Sequence, residues 1–275
     1  MKPRRESRIT RLLLGLCTGV LLFAASPGAL WAAPFSYAVN TDDDLFSVDV
    51  STGTKTLVGN TGVVFLQGLA LSPGGVLFGT DSDGNLYRIN TTTAAATLVG
   101  NTGLGNIEGL DFKGTTLLAT DFNTTPTVYS LDTSTAAPTS VVTANTATGL
   151  LRTMAVLDAN TILARGDGPP NNTLYSINLS TGAVTTIGTL GVFGDQFAAM
   201  DFLSDGLLYG LDTEGSVWRI DPATAGVTLL GNTGDDFWLD MTEGPGGTPV
   251  AEPTTLVLLG TALAGLGWRL RHRLR

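Results

Sequence analysis

Between about residue 35 and residue 243 the chain is built of short runs in which apolar and polar residues alternate. The runs are rich in β-branched and aromatic side chains, and Gly, Asn or Asp interrupts them every eight to twelve positions. Alternation with period two and frequent turn residues predicts strands and hairpins. Nowhere in this stretch do apolar residues recur at helical spacing. One run is written five times: Leu45-Phe-Ser-Val-Asp49, Leu86-Tyr-Arg-Ile-Asn90, Val128-Tyr-Ser-Leu-Asp132, Leu174-Tyr-Ser-Ile-Asn178 and Val217-Trp-Arg-Ile-Asp221. Successive copies start 41, 42, 46 and 43 residues apart. A period near 42 made of short strands predicts a β-propeller with one four-stranded blade per repeat.

Each part of the repeat has a physical reason. The repeated strand carries large apolar groups on both faces, as a blade pressed between two neighbours requires. Its closing Asp or Asn can cap the following turn by accepting backbone N–H bonds. An earlier strand also recurs, as Val76–Asp81, Thr116–Asp121 and Leu207–Asp212, with a small residue always fourth: Ala38, Gly79, Ala119, Ala164 and Gly210. Small residues there would let inner strands approach near the axis. That strand ends on Asn40, Asp81, Asp121 or Asp212, again turn residues, with Asp167 displaced by one. Pro34–Asn40 matches a blade's second strand, and nothing before it can serve as the first. Phe237–Thr242, aligned with Leu66–Leu71 and Ile107–Phe112, supplies that strand and closes the ring without an open sheet edge. The expected fold class is all-β, a single five-bladed propeller over 33–243. Its repeats resemble the lactonase-type and NHL-type propellers of exported bacterial proteins.

The two ends follow a different pattern. Lys2, Arg4, Arg5, Arg8 and Arg11 precede the apolar run Leu12–Ala25 and a peptidase-like Leu30-Trp31-Ala32, which predicts a signal peptide over 1–32. After a Gly- and Pro-rich linker, 244–249, the chain reads Val-Ala-Glu-Pro-Thr-Thr. A short apolar stretch, Leu256–Trp268, follows, and then Arg269, Arg271, His272, Arg273 and Arg275. The motif Ala251-Glu252-Pro253, the short greasy segment and the basic end resemble the PEP-CTERM sorting signal, with Ala251 where the family has its first proline. Thr254–Trp268 has 15 residues without a charge, shorter than the ~20 of a comfortable membrane helix. The resemblance implies a C-terminal segment that enters the membrane and is processed by an exosortase after signal peptidase has acted. It implies delivery to the cell surface or exopolysaccharide matrix of a Gram-negative bacterium.

Without its ends the chain changes character. Nine of the fifteen Lys and Arg lie before residue 12 or after residue 268, so 33–250 keeps 6 basic against 22 acidic side chains, a net of 6 − 22 = −16. Such a domain repels nucleic acid. The only cysteine, Cys17, and the only histidine, His272, both fall in the terminal segments. The domain therefore offers no cysteine or histidine nucleophile or base, no disulfide, and no Ser-His-Asp triad. No Gly-rich phosphate loop joins a strand to a helix.

Most carboxylates are accounted for as turn residues. Three are not: Asp111, Asp201 and Asp240 are placed at one position of the innermost strand, where the other blades carry Ala70 and Ala155. Gln67, Glu108 and Arg152 share an earlier position of that strand. If the carboxylates face the axial channel they converge as hard oxygen ligands suited to Ca²⁺; otherwise they are hydrated or bonded to a neighbouring blade's backbone. No other cofactor is called for. The leading expectation is a secreted, non-catalytic binding or structural module acting on extracellular polysaccharide or surface proteins. The alternatives are a metal-dependent lactonase or hydrolase using the channel carboxylates, and a propeller that recognises another protein.

Overall fold

A computed structural model describes residues 34–146, 148–167, 170–191, 197–234 and 237–244. Twenty strands form five four-stranded antiparallel sheets. The first blade contains β1 (Phe35–Asn40), β2 (Asp44–Asp49) and β3 (Thr54–Asn60). The second holds β4 (Leu66–Leu71), β5 (Leu77–Asp81), β6 (Asn85–Ile89) and β7 (Ala96–Asn101). The third holds β8 (Ile107–Lys113), β9 (Thr116–Asp121), β10 (Thr127–Leu131) and β11 (Pro138–Thr143). The fourth holds β12 (Leu151–Val156), β13 (Thr161–Gly166), β14 (Thr173–Asn178) and β15 (Val184–Thr189). The fifth holds β16 (Phe197–Phe202), β17 (Leu208–Asp212), β18 (Ser216–Ile220) and β19 (Val227–Asn232). The last strand, β20 (Trp238–Glu243), returns to the first blade, which runs β20-β1-β2-β3. The ring is closed by joining the two ends of the domain, as the repeat predicts.

The inner strands β20, β4, β8, β12 and β16 pack side by side around the axis. Five apolar clusters, one per blade interface, make up the core. Between fifth and first blades, for example, Trp238 is fully buried and meets Phe46 edge-on at 5.5 Å. The small fourth residue of each second strand faces a large inner-strand residue: Ala38 opposite Met241, Gly79 opposite Leu69, Gly210 opposite Met200. A methyl group at Gly79 would lie 2.9 Å from Ile89 and 3.0 Å from Leu66. The position is small because side chains of the same sheet fold over it.

Both families of Asp and Asn do the work their spacing implies. Asp49, Asn90, Asp132, Asn178 and Asp221 each accept the N–H two residues on, at 2.7–3.0 Å. Asp81 accepts the N–H groups of Asp83 and Asn85 and the Tyr87 hydroxyl; Asp212 accepts those of Glu214 and Ser216 and the Trp218 indole.

One expectation needs correcting. The closing strand starts at Trp238, not Phe237, which is 51% exposed just outside it. Trp238 takes the buried place held by Leu66, Ile107, Leu151 and Phe197 in the other inner strands, because only there can its ring fill the interface. The shift changes which residue of β20 matches Asp111.

Candidate functional site at the channel mouth

The inner strands all begin at the same end of the channel, and their second residues, Gln67, Glu108, Arg152, Ala198 and Leu239, ring its mouth. They line a cavity of about 180 Å³ whose walls include Phe197, Phe237 and Trp238. This is where the repeat breaks down. In the fourth blade, Arg165 stands where the second and third have Thr80 and Thr120, and Gly166 stands where they have the capping Asp. Glycine is needed at 166, since a Cβ would sit 2.6 Å from the Thr148 carbonyl oxygen and 2.9 Å from Tyr175. The displaced Asp167 is left to bind two arginines.

The result is a charged chain across the third and fourth blades. Arg152 bonds both oxygens of Glu108 at 3.1 Å and donates from Nε to Asp167 at 2.8 Å. Its guanidinium lies 4.6 Å from the Phe122 ring centre. Fully buried Arg165 places Nη2 2.7 Å from Asp167 and donates from Nε to Asn172 at 2.9 Å. Burial pushes Glu108 up, against the pull of Arg152. Burial also presses on Arg152, but Glu108 and Asp167 outweigh it and hold that pKa above its ordinary value. Arg165 is pushed down to about 10 by burial. Two positive and two negative groups leave the network neutral. Among the described residues, Arg165 Nη1 and Gln67 Oε1 are buried polar atoms without a hydrogen-bond partner. Replacing Asp167 with Ala should strand the Arg165 charge in the protein interior and lower stability by about 3–5 kcal/mol. A denaturant melt of Asp167→Ala beside the parent checks this; a loss under about 1 kcal/mol would place the pair among weak surface ion pairs.

The carboxylates expected in the channel lie on the inner strands, turned toward the neighbouring blade and not at one level. Asp111 and Asp201 are equivalent, following Leu110 and Met200, which face the small residues Ala119 and Gly210. In β20 that reference residue is Met241, facing Ala38, so the true counterpart is Thr242 and Asp240 lies two residues earlier. Two residues along a strand keeps the same face but a different height.

Each carboxylate reaches the next blade's backbone. The Leu69 N–H donates to Asp240 at 2.7 Å, the Val156 N–H to Asp111 at 2.6 Å, and the Glu243 N–H to Asp201 at 3.0 Å. Thr80 donates to the Ile107 carbonyl and Thr153 to that of Met200, at 3.2 and 3.4 Å. All five blade interfaces thus carry a side-chain latch between strands near the axis. Burial raises all three acids, Asp111 to about 7 and the other two well above the carboxylate range. The charge of Asp111 adds to the rise of Asp201, and both add to that of Asp240. Among the described residues no group of three or more acidic, histidine or cysteine side chains is arranged to hold a metal ion. A carboxylate engaged by backbone N–H groups fits a latch better than a Ca²⁺ ligand. Calcium titrated into the domain is therefore expected to leave its melting temperature unchanged; a rise abolished by Asp201→Asn would instead mark a metal site.

Comparison with known proteins bears on the ends and the fold. Residues 249–272 match the family model of the PEP-CTERM protein-sorting motif. The chain carries a PEP-CTERM motif. Ala251, Glu252, Pro253 and the apolar stretch Leu256–Trp268 lie within the match and outside the described residues; segment 1–32, expected to be a signal peptide, also lies outside the described residues. Among the described residues no helix is long and apolar enough to cross a membrane. No curated protein matches this chain in sequence. A chain in the crystal structure of the nidogen/laminin complex is similar at 16% identity and a TM-score of 0.54, over 79% of this chain and 83% of that one. The WD40 β-propeller domain of Doa1 gives 10% identity and a TM-score of 0.47, over 75% and 82%. The first likeness supports the propeller fold and nothing finer.

Of the mouth residues, Gln67, Glu108 and Arg152 were visible in the sequence as a shared position. Arg165 was not. Its signal was the fourth repeat's departure from the pattern, an Arg-Gly-Asp where the other repeats have Thr-Asp, Leu-Asp or Val-Asn.

Proposed function

We propose that this PEP-CTERM protein is exported and sorted by an exosortase to the cell surface or extracellular polysaccharide matrix. There it acts as a non-catalytic binding propeller that presents its channel mouth to a ligand. On this reading 1–32 is a removed signal peptide, 33–243 the propeller, 244–249 a linker and 250–275 the sorting segment. One observation carries the binding role. The departures from the repeat collect at the mouth, as Arg165, Gly166 and Asp167 around a cavity, while the channel acids are taken up as inter-blade latches. A repeat that served only as scaffold would have no physical need to bury an arginine there. Conversely, acids bonded to backbone N–H groups favour a hydrolase less than a scaffold.

The test is co-sedimentation of the purified chain with matrix polysaccharide from a producing culture. Phe237→Ala removes a half-exposed ring from the cavity wall at little cost to the fold and should weaken binding. Leu229→Ala, on the outer strand β19 and 56% exposed, should not. Equal binding by the two variants, or cleavage of the polysaccharide, would overturn the proposal.

A further inference from the structure

We infer that the end of the propeller opposite the mouth rests against the lipid bilayer in which the C-terminal segment is seated, so that the mouth points away from the membrane. This rests on the sorting segment just proposed, at the stage when it is seated in the membrane, and adds an orientation to it.

The chain's path is the first argument. Inner strands run from the mouth to the far end, so β20 delivers Gly244 to the far end, and β1, antiparallel to it, begins there at Phe35. Both ends of the described domain therefore meet the same face. Between Gly244 and Thr254, where the uncharged stretch starts, lie about ten residues, which can reach at most about 34 Å when fully extended. Its prolines favour an extended path of about 3.1 Å per residue, about 31 Å in all. A six-residue strand is already about 20 Å tall. To bring the mouth to the bilayer, the linker would have to climb the blade and cross half the disc, close to or beyond its full reach.

Charge makes the same choice. At the mouth both arginines are tied into the neutral network, and the remaining described charges are acidic: Asp42, Asp43, Asp44, Asp83 and Glu214 stand on the rim with the capping acids behind them. That face is repelled by lipid phosphates. The far end carries cations. Arg88 donates to the Thr133 carbonyl in the β10–β11 turn, Lys113 to the Ala159 carbonyl in the β12–β13 turn, and Arg219 lines a shallow recess with Leu207. Acids are present there too. Asp49, Asp132, Asp158, Asp205 and Asp221 are each bonded to the N–H two residues on, within their own turns, and Glu243 closes β20 there. Val76, Leu157 and Leu207, each 42–43% exposed, project from three turns of this end. Exposed apolar side chains occur at both ends; the linker and the charge distinguish them.

Cys17 is the chain's only cysteine, so a Cys17→Ser background takes a single fluorophore at a chosen site. The full exported chain would carry the label at Leu207→Cys on the far end or at Val64→Cys on the mouth. It would be reconstituted in phosphatidylethanolamine vesicles with a minority of phosphatidylglycerol and a headgroup-linked quencher. Quenching at 207 is expected to exceed that at 64 several-fold. Equal or reversed quenching in vesicles that carry the protein would overturn the orientation while leaving the anchor in place. Failure of the protein to float with the vesicles would overturn the anchor and the orientation together.

Discussion

A chain ending at Gly234 is expected to lose its cooperative unfolding transition altogether. The cut removes only β20 from the described fold, yet β20 is the first blade's inner strand and borders two others in the ring. It contributes the fully buried Trp238, the nearly buried Met241, and the latches from Asp240 and Thr242 to the second blade. Its loss also leaves the β1 edge unpaired and open to other chains. Domain stabilities are about 5–15 kcal/mol. Emptying the Trp238 site alone should cost about 3–5 kcal/mol, so loss of the whole strand consumes most or all of the total. Trp238→Ala provides the graded version, a measurable drop in denaturant midpoint with the transition intact. A chain ending at Gly234 that melted like the full domain would show that the ring does not depend on this strand.

The domain should be more stable in mild acid than at neutral or alkaline pH, the reverse of proteins held by salt-bridged carboxylates. Asp111, Asp201 and Asp240 have pKa values raised by burial, so the folded state holds protons that the unfolded chain gives up near pH 4. Their contribution is complete below the unfolded pKa of about 3.9 and is lost as pH rises through the folded values. For Asp111, with a folded value of about 7, the loss runs between about pH 4 and 7 and is worth roughly 2–4 kcal/mol. The other two add to the loss in the same direction. Melting temperature should therefore fall from pH 5 to pH 8. Asp201→Asn should flatten the fall, because it removes one of the three raised acids together with its push on Asp240. A melting temperature that rises over this range, or an unchanged slope in Asp201→Asn, would mean that the three acids are already ionised when folded.

The fold was legible because a propeller repeats the same physical problem five times. Each copy must bury two faces of a sheet and turn it within a few residues, so Leu86–Asn90 and Val217–Asp221 converge on one solution despite different side chains. Ring closure was legible for the same reason, as a strand missing at one end and spare at the other. Register within that strand was not. Phe237 and Trp238 are both large and apolar, and only packing decides which is buried. Aligning the acids by identity therefore put Asp240 level with Asp111, when Thr242 holds that place. The mouth was half legible. Gln67, Glu108 and Arg152 could be matched by repeat position, but the pairing of Arg152 and Arg165 through Asp167 joins residues of different strands across a disrupted turn. Periodicity reports what the blades share. A binding site is made where one of them differs.

Hydrogen exchange of the propeller with and without matrix polysaccharide tests the central claim, that the mouth is the ligand-binding end, most directly. Slowed exchange is expected at the starts of the inner strands, around Gln67, Glu108, Arg152 and Leu239, with the far-end turn 203–207 unchanged. Protection confined to the far-end turns, or absent throughout while the protein sediments with the polysaccharide, would contradict it.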